Sequence, residues 1–343
     1  MTTPDRHAWS RPEPEPVAPG VLRVPLPLPS DALRAVNVYV LDDGPGLTLV
    51  DGGWTLSRSR DLLAAALAGR GAGFGDIRRF LVTHMHRDHY TQAVALRREL
   101  GVPVSLGAGE QDSMAAMESR PGPFAAQVAG LRSAGAVALA DLVAGGPAGT
   151  AEEEYADYAA PDHWIVDAEE IAVGNTVLTA LETPGHTRGH LVFEADEVLF
   201  AGDHVLPHIT PSIGFEPAPR PGSLQRFLTS LARLRERPDR RLLPAHGPVA
   251  PSVHARVDEL LDHHAARLDT IERAVEDGTS TAAEVAGAIT WTRRESKLVD
   301  LEPFHQVLAI LETDAHLEVL AAQGRVGRVA DEAGVHRHEV PGA

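Results

Sequence analysis

Three imidazoles and a carboxylate fall within six consecutive positions of this chain, in the stretch Thr83-His84-Met85-His86-Arg87-Asp88-His89. Imidazole nitrogen and carboxylate oxygen are the donors that borderline divalent ions such as Zn²⁺ prefer. His84 and His86 are two apart, with Asp88 and His89 directly behind. On a tight turn the first pair can grip one ion while the second pair reaches another. The competing reading is a polar loop rich in histidine by chance, but with 17 histidines in 343 residues, four donors in six positions weigh against it. Three further donors each stand just past a short apolar run: His186 in Thr183-Pro184-Gly185-His186-Thr187, Asp203 in Gly202-Asp203-His204, and His246 in Pro244-Ala245-His246-Gly247. A histidine beside glycine in a loop is commonly structural, so each is weak alone. The repeated placement beside the 84–89 cluster favours ligation. Asp51, closing the run Leu47–Val50 and followed by two glycines, is either an ordinary turn residue or a group that reaches the same site.

The elements that must position these residues read as α/β. Strand 79–83 leads into the cluster, a helix follows over 91–100, and a strand over 102–106; open α/β sheets hold their sites at such strand ends. Residues 1–20, with Pro-Glu-Pro-Glu-Pro, read as a flexible or polyproline-like tail. Pro25, Pro27 and Pro29 then allow an extended edge segment at best. Runs 36–41 and 47–50 form a hairpin about Asp42-Asp43-Gly44-Pro45-Gly46, and 60–70 is helical. From 108 to 163 the strand rhythm breaks. Helical runs over 111–119 and 124–142, then the acidic Glu152-Glu153-Glu154-Tyr155, read as an inserted cap that walls a pocket, with its Met and Phe side chains as packing. Strands resume at 164–166, 171–173, 177–181, 191–193 and 198–200, with a helix over 224–236 before the strand that ends in His246. The division is therefore a tail (1–20), a catalytic domain (21–250) and a helical C-terminal domain (251–343). The last has a long helix over 253–276, shorter ones over 281–289 and 304–322, and a terminal hairpin, a winged-helix-like order.

Composition narrows the function. Hydrophobic residues make up 43 % and charged residues 23 %, enough for a substantial core. The net charge of −17 argues against a broad surface for nucleic acid or anionic membrane. The segment 279–343 carries six Lys/Arg against ten Asp/Glu, which argues against a DNA-reading role for the C-terminal domain and leaves packing, dimerisation (a homodimer) or gating. With no cysteine there is neither a disulfide framework nor a thiolate site. No secretory leader pattern and no membrane-length apolar run is visible, so a cytoplasmic location is expected.

The spaced set His84-x-His86-x-Asp88-His89, then His186, Asp203 and His246, resembles the metallo-β-lactamase superfamily over about residues 21–250, with Asp51 matching the acid of its early strand. The C-terminal extension resembles that of the β-lactamase-like protein 2 subgroup. The resemblance implies an αβ/βα sandwich with the helical insert. It implies one metal on His84, His86 and His186, a second on Asp88, His89 and His246, and Asp203 between them, as in glyoxalase II and unlike β-lactamases that use cysteine. Two divalent ions are implied, Zn²⁺ first, with Mn²⁺ or Fe²⁺ admitted by the same donors. Such a pair shares a hydroxide that attacks a carbonyl or phosphoryl centre. Asp88 and Asp203 then have catalytic as well as ligand roles, Asp51 holds a ligand histidine, and His208 or His204 is a candidate for substrate contact or proton donation; Tyr90 is a weaker oxyanion donor. The family's usual His-x-Gly-Gly is here His89-Tyr90-Thr91-Gln92, which is expected to reshape the pocket floor. The leading expectation is hydrolysis of a thioester, ester or lactone of a small or carrier-bound substrate. A metal-dependent ribonuclease is the first alternative, opposed by the charge. An iron persulfide dioxygenase using only the three-histidine site is the second, opposed by the complete second set.

Overall fold

The protein is described by a computed structural model that covers residues 5, 7–29, 33–118, 124–146, 156–292 and 294–341; the acidic run Glu152–Tyr155 lies outside the described residues. Two sheets carry the fold. The first has seven strands in sequential order: β1 (Glu15–Ala18), β2 (Val21–Pro27), β3 (Ala35–Asp43), β4 (Gly46–Val50), β5 (Ile77–Leu81), β6 (Val104–Gly107) and β7 (His163–Ile165). The second runs β12 (Arg241–Pro244), β11 (Val198–Gly202), β10 (Leu191–Glu194), β9 (Thr176–Glu182) and β8 (Glu170–Val173) across its width.

Strand composition sets the layering. In β3, Val36, Val38 and Val40 face one way, while Tyr39 and Leu41 face the other. Apolar side chains on both faces require cover on both. Tyr39, Leu41, Val50 and Leu81 meet Leu178, Phe193, Phe200 and Leu243 of the second sheet in the inner layer. Helices α1 (Ser57–Ala68) and α2 (Arg87–Leu100) cover the outer face of the first sheet through Leu63, Leu67, Val94 and Leu96. This is the αβ/βα sandwich.

The insert after β6 holds α3 (Gln111–Glu118), α4 (Ala125–Ser133) and α5 (Val137–Ala144). The run expected as one helix over 124–142 is two. Gly135, at φ 83°, turns the chain between them, and a Cβ there would lie 3.1 Å from Thr281, so the break is also a docking point.

The outer face of the second sheet is covered by α6 (Ser223–Arg235), α7 (Val253–Glu276), α8 (Ala282–Ala288) and α9 (Pro303–Ala322). Thr281 and Glu284 form a capping box at the start of α8, and Pro303 opens α9 where its missing N–H costs nothing. Hairpins β13 (Thr290–Trp291)/β14 (Ser296–Lys297) and β15 (Gly327–Ala330)/β16 (His336–Glu339) flank α9. Val257, Leu260 and Ile271 of α7 and Ile310, Leu317 and Leu320 of α9 belong to one buried cluster with Leu181, Val192 and Leu199 of the sheet. The C-terminal helices thus share a core with the second sheet. No helix among the described residues is long and apolar enough to cross a membrane.

The tail differs from expectation. Residues 15–18 are strand β1, antiparallel to β2, and Arg23, 5 % exposed, ties the tail down by bonding the Trp9 carbonyl at 2.9 Å and Glu15 at 2.8 Å. β1 reaches only Val21–Arg23, so Pro25 and Pro27 lie where β2 pairs with no strand on that side among the described residues and their missing donors are tolerated.

Strand direction assembles the site. β4 and β5 are parallel, as are β11 and β12, while β9 and β11 both run antiparallel to β10 and therefore share a direction. The C-terminal ends of β4 and β5 meet those of β9, β11 and β12 along one edge of the sandwich.

Candidate metal centre

Each functional side chain sits just past one of those strand ends. After β5 the chain turns at Thr83–His86 and enters α2, whose first turn carries Asp88 and His89; a carboxylate there suits the positive end of the helix. The loop after β9 carries His186, β11 ends at Gly202 before Asp203, and β12 ends just before His246. Gly202 has φ 48°, and a Cβ on it would lie 2.6 Å from His190 Nε2 and 2.8 Å from Thr83, so only glycine lets the chain deliver Asp203 here.

All seven predicted donors converge in two groups. His84, His86, His186 and Asp203 form one, and Asp88, His89 and His246 the other. In the first, His186 Nε2 lies 3.2 Å from His84 Nε2, 3.0 Å from His86 Nδ1 and 3.4 Å from Asp203 Oδ2. In the second, His246 Nε2 is 3.4 Å from Asp88 Oδ2 and 3.3 Å from Asp203 Oδ1, and His89 Nε2 is 3.7 and 3.6 Å from the same two acids. Asp203 offers one oxygen to each group.

The outer nitrogen of every ring is already engaged. His84 Nδ1 donates to Thr83 Oγ1 at 3.1 Å, His86 Nε2 to the Phe215 carbonyl at 2.8 Å, and His186 Nδ1 to the Ser212 carbonyl at 2.6 Å. His89 Nδ1 donates to Asp51 at 2.8 Å and His246 Nδ1 to the Ala35 carbonyl at 2.7 Å. In the first group this fixes the inner nitrogens as lone-pair donors that face one another; in the second, His89 and His246 carry a proton on the inner nitrogen that a cation would replace. Lone pairs cannot bond each other, and His89 Nε2, His246 Nε2 and Asp203 Oδ1 are buried without a hydrogen-bond partner. A cation resolves both problems, and donors about 2.0–2.1 Å from a tetrahedral ion lie about 3.3 Å apart. The donor set fits divalent metal.

The electrostatics agree. Burial, with its neighbouring imidazoles, lowers His84 well below the usual histidine range, and burial beside His186 lowers His86 to about 3. Burial opposes charge on His89 too, but Asp51, Asp88 and Asp203 outweigh it and push His89 up to about 9; Asp203 and Asp88 likewise hold His246 well above its ordinary value. Burial disfavours charge on Asp88 and Asp203 as well, yet the facing histidines keep both carboxyls far below the usual range.

Asp51 has φ 64°, which turns its carboxylate inward. It accepts from the Thr83 N–H at 2.8 Å, the Thr83 hydroxyl at 3.0 Å and His89, and so touches both groups, one directly and one through Thr83 and His84. Other candidates fall elsewhere. His208 is exposed on the loop after β11 and belongs to neither donor group. His204 is fully buried, edge-on to Phe227 at 4.9 Å, out of reach of a substrate. Tyr90 donates to the Ala159 carbonyl at 2.7 Å and fastens α2 to the end of the insert. Gln92 donates to the Gly52 carbonyl at 2.9 Å, and Thr91 bonds the Thr55 N–H at 2.9 Å. The larger side chains after His89 therefore point into α2's packing and do not floor a pocket.

Two residues escaped the sequence reading. His190 accepts from the Asp203 N–H at 3.0 Å and donates to Thr183 at 2.8 Å, bracing the shared acid; its position four residues after His186 was the available signal. Glu110, 0 % exposed, accepts from the Thr187 hydroxyl at 2.5 Å and from the Met85 backbone N–H. It thereby clamps the turn bearing His84 and His86 to the loop bearing His186. Burial, reinforced by Glu216, pushes its carboxyl up to about 8. The two segments touch backbone to backbone: a Cβ on Gly107 would lie 2.1 Å from the Gly189 carbonyl oxygen, and one on Gly189 would lie 2.2 Å from the Glu110 nitrogen. A lone Glu in a glycine-flanked turn gives no local hint of this.

Comparison with known proteins places this arrangement. Residues 31–246 match the family model described as the metallo-beta-lactamase superfamily. A crystal structure of a metallo-beta-lactamase family protein from Thermus thermophilus is 30 % identical, superposes with a TM-score of 0.77, and covers 94 % of this chain and 99 % of its own. The beta-lactamase-like protein 2 homolog of Caenorhabditis elegans is 35 % identical over 107 residues, 31 % of this chain, a match spanning only 34 % of that relative's length. The atrochrysone carboxyl ACP thioesterase AgnL7 of Paecilomyces divaricatus is 25 % identical over 91 % of this chain and 86 % of its own.

Proposed function

Since this chain belongs to the metallo-beta-lactamase superfamily, we propose that it is a dinuclear hydrolase that cleaves the thioester of a carrier-bound or small acyl substrate, with esters and lactones as related substrates of the same site. It is a metal-dependent hydrolase, and the observation that carries the finer reading is the pair of donor groups about one carboxylate, Asp203. The similarity to carrier-protein thioesterases along most of both chains supports the thioester over the phosphodiester. The net charge of −17 supports the same choice.

His84, His86 and His186 would hold one ion, Asp88, His89 and His246 the other, and Asp203 both. Zn²⁺ is the first choice on donor chemistry. When bound, the ions supply an acidified water as nucleophile and an electrophile for the carbonyl oxygen. The chain's own residues do the positioning. Asp51 keeps the His89 ring in one orientation and tautomer, and the Ser212, Phe215 and Ala35 carbonyls do so for His186, His86 and His246. Asp88, ionised through its histidine neighbours, faces the donor group through Oδ2 and retains Oδ1 as an atom that can accept a proton from the attacking water, while both Asp203 oxygens face donor groups.

Elemental analysis of the purified protein, run beside turnover of acyl-pantetheine thioesters, esters, lactones and a labelled single-stranded RNA, tests this reading. About two zinc ions per chain with thioester turnover that His84→Ala and Asp203→Ala abolish are expected. One iron with oxygen uptake, or RNA cleavage without ester turnover, would overturn it. His208→Ala in the same series decides whether that exposed histidine supplies a proton.

A further inference from the structure

Helix α7 buries Val257, Leu260, Leu268 and Ile271 at three- and four-residue spacing, and the place between Leu260 and Leu268 on that stripe belongs to His264. Across from it, α9 buries His316 among Ile310, Thr313, Leu317 and Leu320. Both rings are 0 % exposed. An imidazole on an apolar seam costs free energy unless its nitrogens find partners. His316 Nδ1 donates to the Glu312 carbonyl at 2.7 Å, one turn back on its own helix. Its Nε2, 3.0 Å from His264 Nδ1, is therefore the acceptor and His264 Nδ1 the donor. Burial holds both rings well below the ordinary histidine range, so both are neutral. This chain of bonds leaves one lone pair over, on His264 Nε2, which is buried with no hydrogen-bond partner.

Other donors stand beside it. Side-chain donor atoms of His263, His264 and Glu312 lie within 4.8 Å of one another, a third such grouping among the described residues. His264 is buried, Glu312 half-buried and His263 exposed, so the grouping runs from the helix seam to the surface and leaves an ion a way in. Glu312 also lines a cavity of about 80 Å³ with Thr210 and Ser212, which has room for water on the open side. Two guanidiniums, Arg267 and Arg256, act on His263. Both are turned to other partners. Arg267 donates to the Thr290 carbonyl at 3.0 Å and lies over the Trp291 ring at 4.7 Å. Arg256 donates to the Leu206 and Ile209 carbonyls and pairs with Glu259. Their charge opposes a cation, which the Glu312 carboxylate offsets. It also adds to burial in keeping His263 unprotonated, so that this ring too meets an ion with a free lone pair.

We propose that His263, His264 and Glu312 form a further metal site, which takes one borderline transition ion of the Zn²⁺ class and fastens α7 to α9. Two imidazoles and one carboxylate are a donor set that zinc accepts, with a position left for water. Magnesium and calcium, which take oxygen ligands, are disfavoured by the two nitrogens. Three donors under two nearby guanidiniums bind more weakly than the seven-donor centre, so this site fills last. The ion's role is mechanical and independent of the reaction at the first centre: it joins neighbouring residues of one helix to a residue of the other, across the seam where the histidine replaces an apolar side chain.

The test uses full-length protein already loaded at the seven-donor centre, dialysed against buffered Zn²⁺ at rising free concentration, with bound zinc counted. Wild type is expected to take one further equivalent. His263→Ala removes an exposed donor without touching the buried seam, and Glu312→Gln removes the donor on α9. Each is expected to weaken the further equivalent at least about tenfold, the least that losing even an outer partner of a metal ligand costs. His305→Ala, an exposed histidine of α9 outside the grouping, is expected to leave it in place. Melting temperature gives a second readout. Above the zinc concentration that saturates the first centre, wild type is expected to go on rising while His263→Ala levels off, and Mg²⁺ at the same concentrations is expected to raise neither. No further equivalent in wild type would overturn the proposal and leave His264 Nε2 to a buried water. So would an equivalent that survives both His263→Ala and Glu312→Gln, or one that His305→Ala removes as fully as His263→Ala, which would be scattered surface binding.

Discussion

Replacing Glu110 by glutamine separates a buried acid's hydrogen bonding from its charge. Its folded carboxyl is raised to about 8 from an ordinary 4.5, by burial first and by Glu216 second. Between those values the folded protein keeps a proton that the unfolded chain releases. The sign is therefore unfavourable: stability is highest below about 4.5 and falls by about 1.4 kcal/mol per pH unit until the folded group ionises near 8. The full window is worth roughly 4–5 kcal/mol, an order-of-magnitude figure. Glutamine does not titrate, and its carbonyl oxygen can still accept from Thr187. Urea unfolding of metal-loaded wild type and Glu110→Gln at half-unit steps from pH 5 to pH 8 reads the difference. At pH 5 the variant is expected to be about 1 kcal/mol less stable, because its extra N–H needs an acceptor the site does not offer. By pH 8 it is expected to be the more stable protein by about 2–3 kcal/mol. Stability curves that stay parallel across this range would mean that Glu110 is ionised in the fold, and the account of the clamp as a neutral acid would be wrong.

Two further outcomes follow from the same geometry. Asp51→Asn removes the anion that the His89 N–H meets, so metal affinity of the Asp88/His89/His246 group is expected to fall about 10–100-fold. Chelator competition should show a smaller loss at the other group, which Asp51 reaches only through Thr83; equal losses would contradict the assigned path. Metal loading should also release protons. His89, raised to about 9, and His246, raised well above its ordinary value, hold protons at pH 7 until a cation replaces them, so affinity rises with pH up to about 9. Calorimetry in buffers of different ionisation enthalpy measures this release, and heats independent of buffer would refute it.

The legible part of the chain was whatever chemistry wrote locally. His84 to His89 are consecutive, and His186, Asp203 and His246 each follow an apolar run, so spacing alone pointed to them. The β-rich runs and the strand, helix, strand order pointed to an α/β fold, while the two-sheet sandwich was legible only through the family resemblance. Less legible was anything set by partners distant in sequence. β1 hid in a Pro-Glu repeat because its pairing depends on Arg23, whose anchoring contacts no local pattern reveals. Glu110 hid because its role lies in bonds to Met85 and Thr187, 25 and 77 positions away. Tyr90, Thr91 and Gln92 were placed next to the site by sequence but turned aside by the helix, since residues one to three beyond a ligand point to other faces. That the C-terminal helices share a buried cluster with the second sheet was not legible, because amphipathic helices do not declare which surface they will cover.

The glycine contact beneath the site bears on how such a protein changes over generations. Gly107, Gly109 and Gly189 bring backbone against backbone, and a single added methyl on any of them would collide with main-chain atoms that cannot step aside. That floor admits almost no variation without loss of the donor geometry. The roof is the opposite: Phe124, the 210–215 loop and α9 meet there through side chains, Phe215 touching both Phe124 and Phe304, so side chains can change together without moving a main-chain contact beneath the site. Selection for a new substrate would therefore leave its record in the roof, in the insert and the C-terminal helices, while the hydrolytic chemistry below is inherited intact. A lineage built on this scaffold can diversify in what it accepts long before it drifts in what it does.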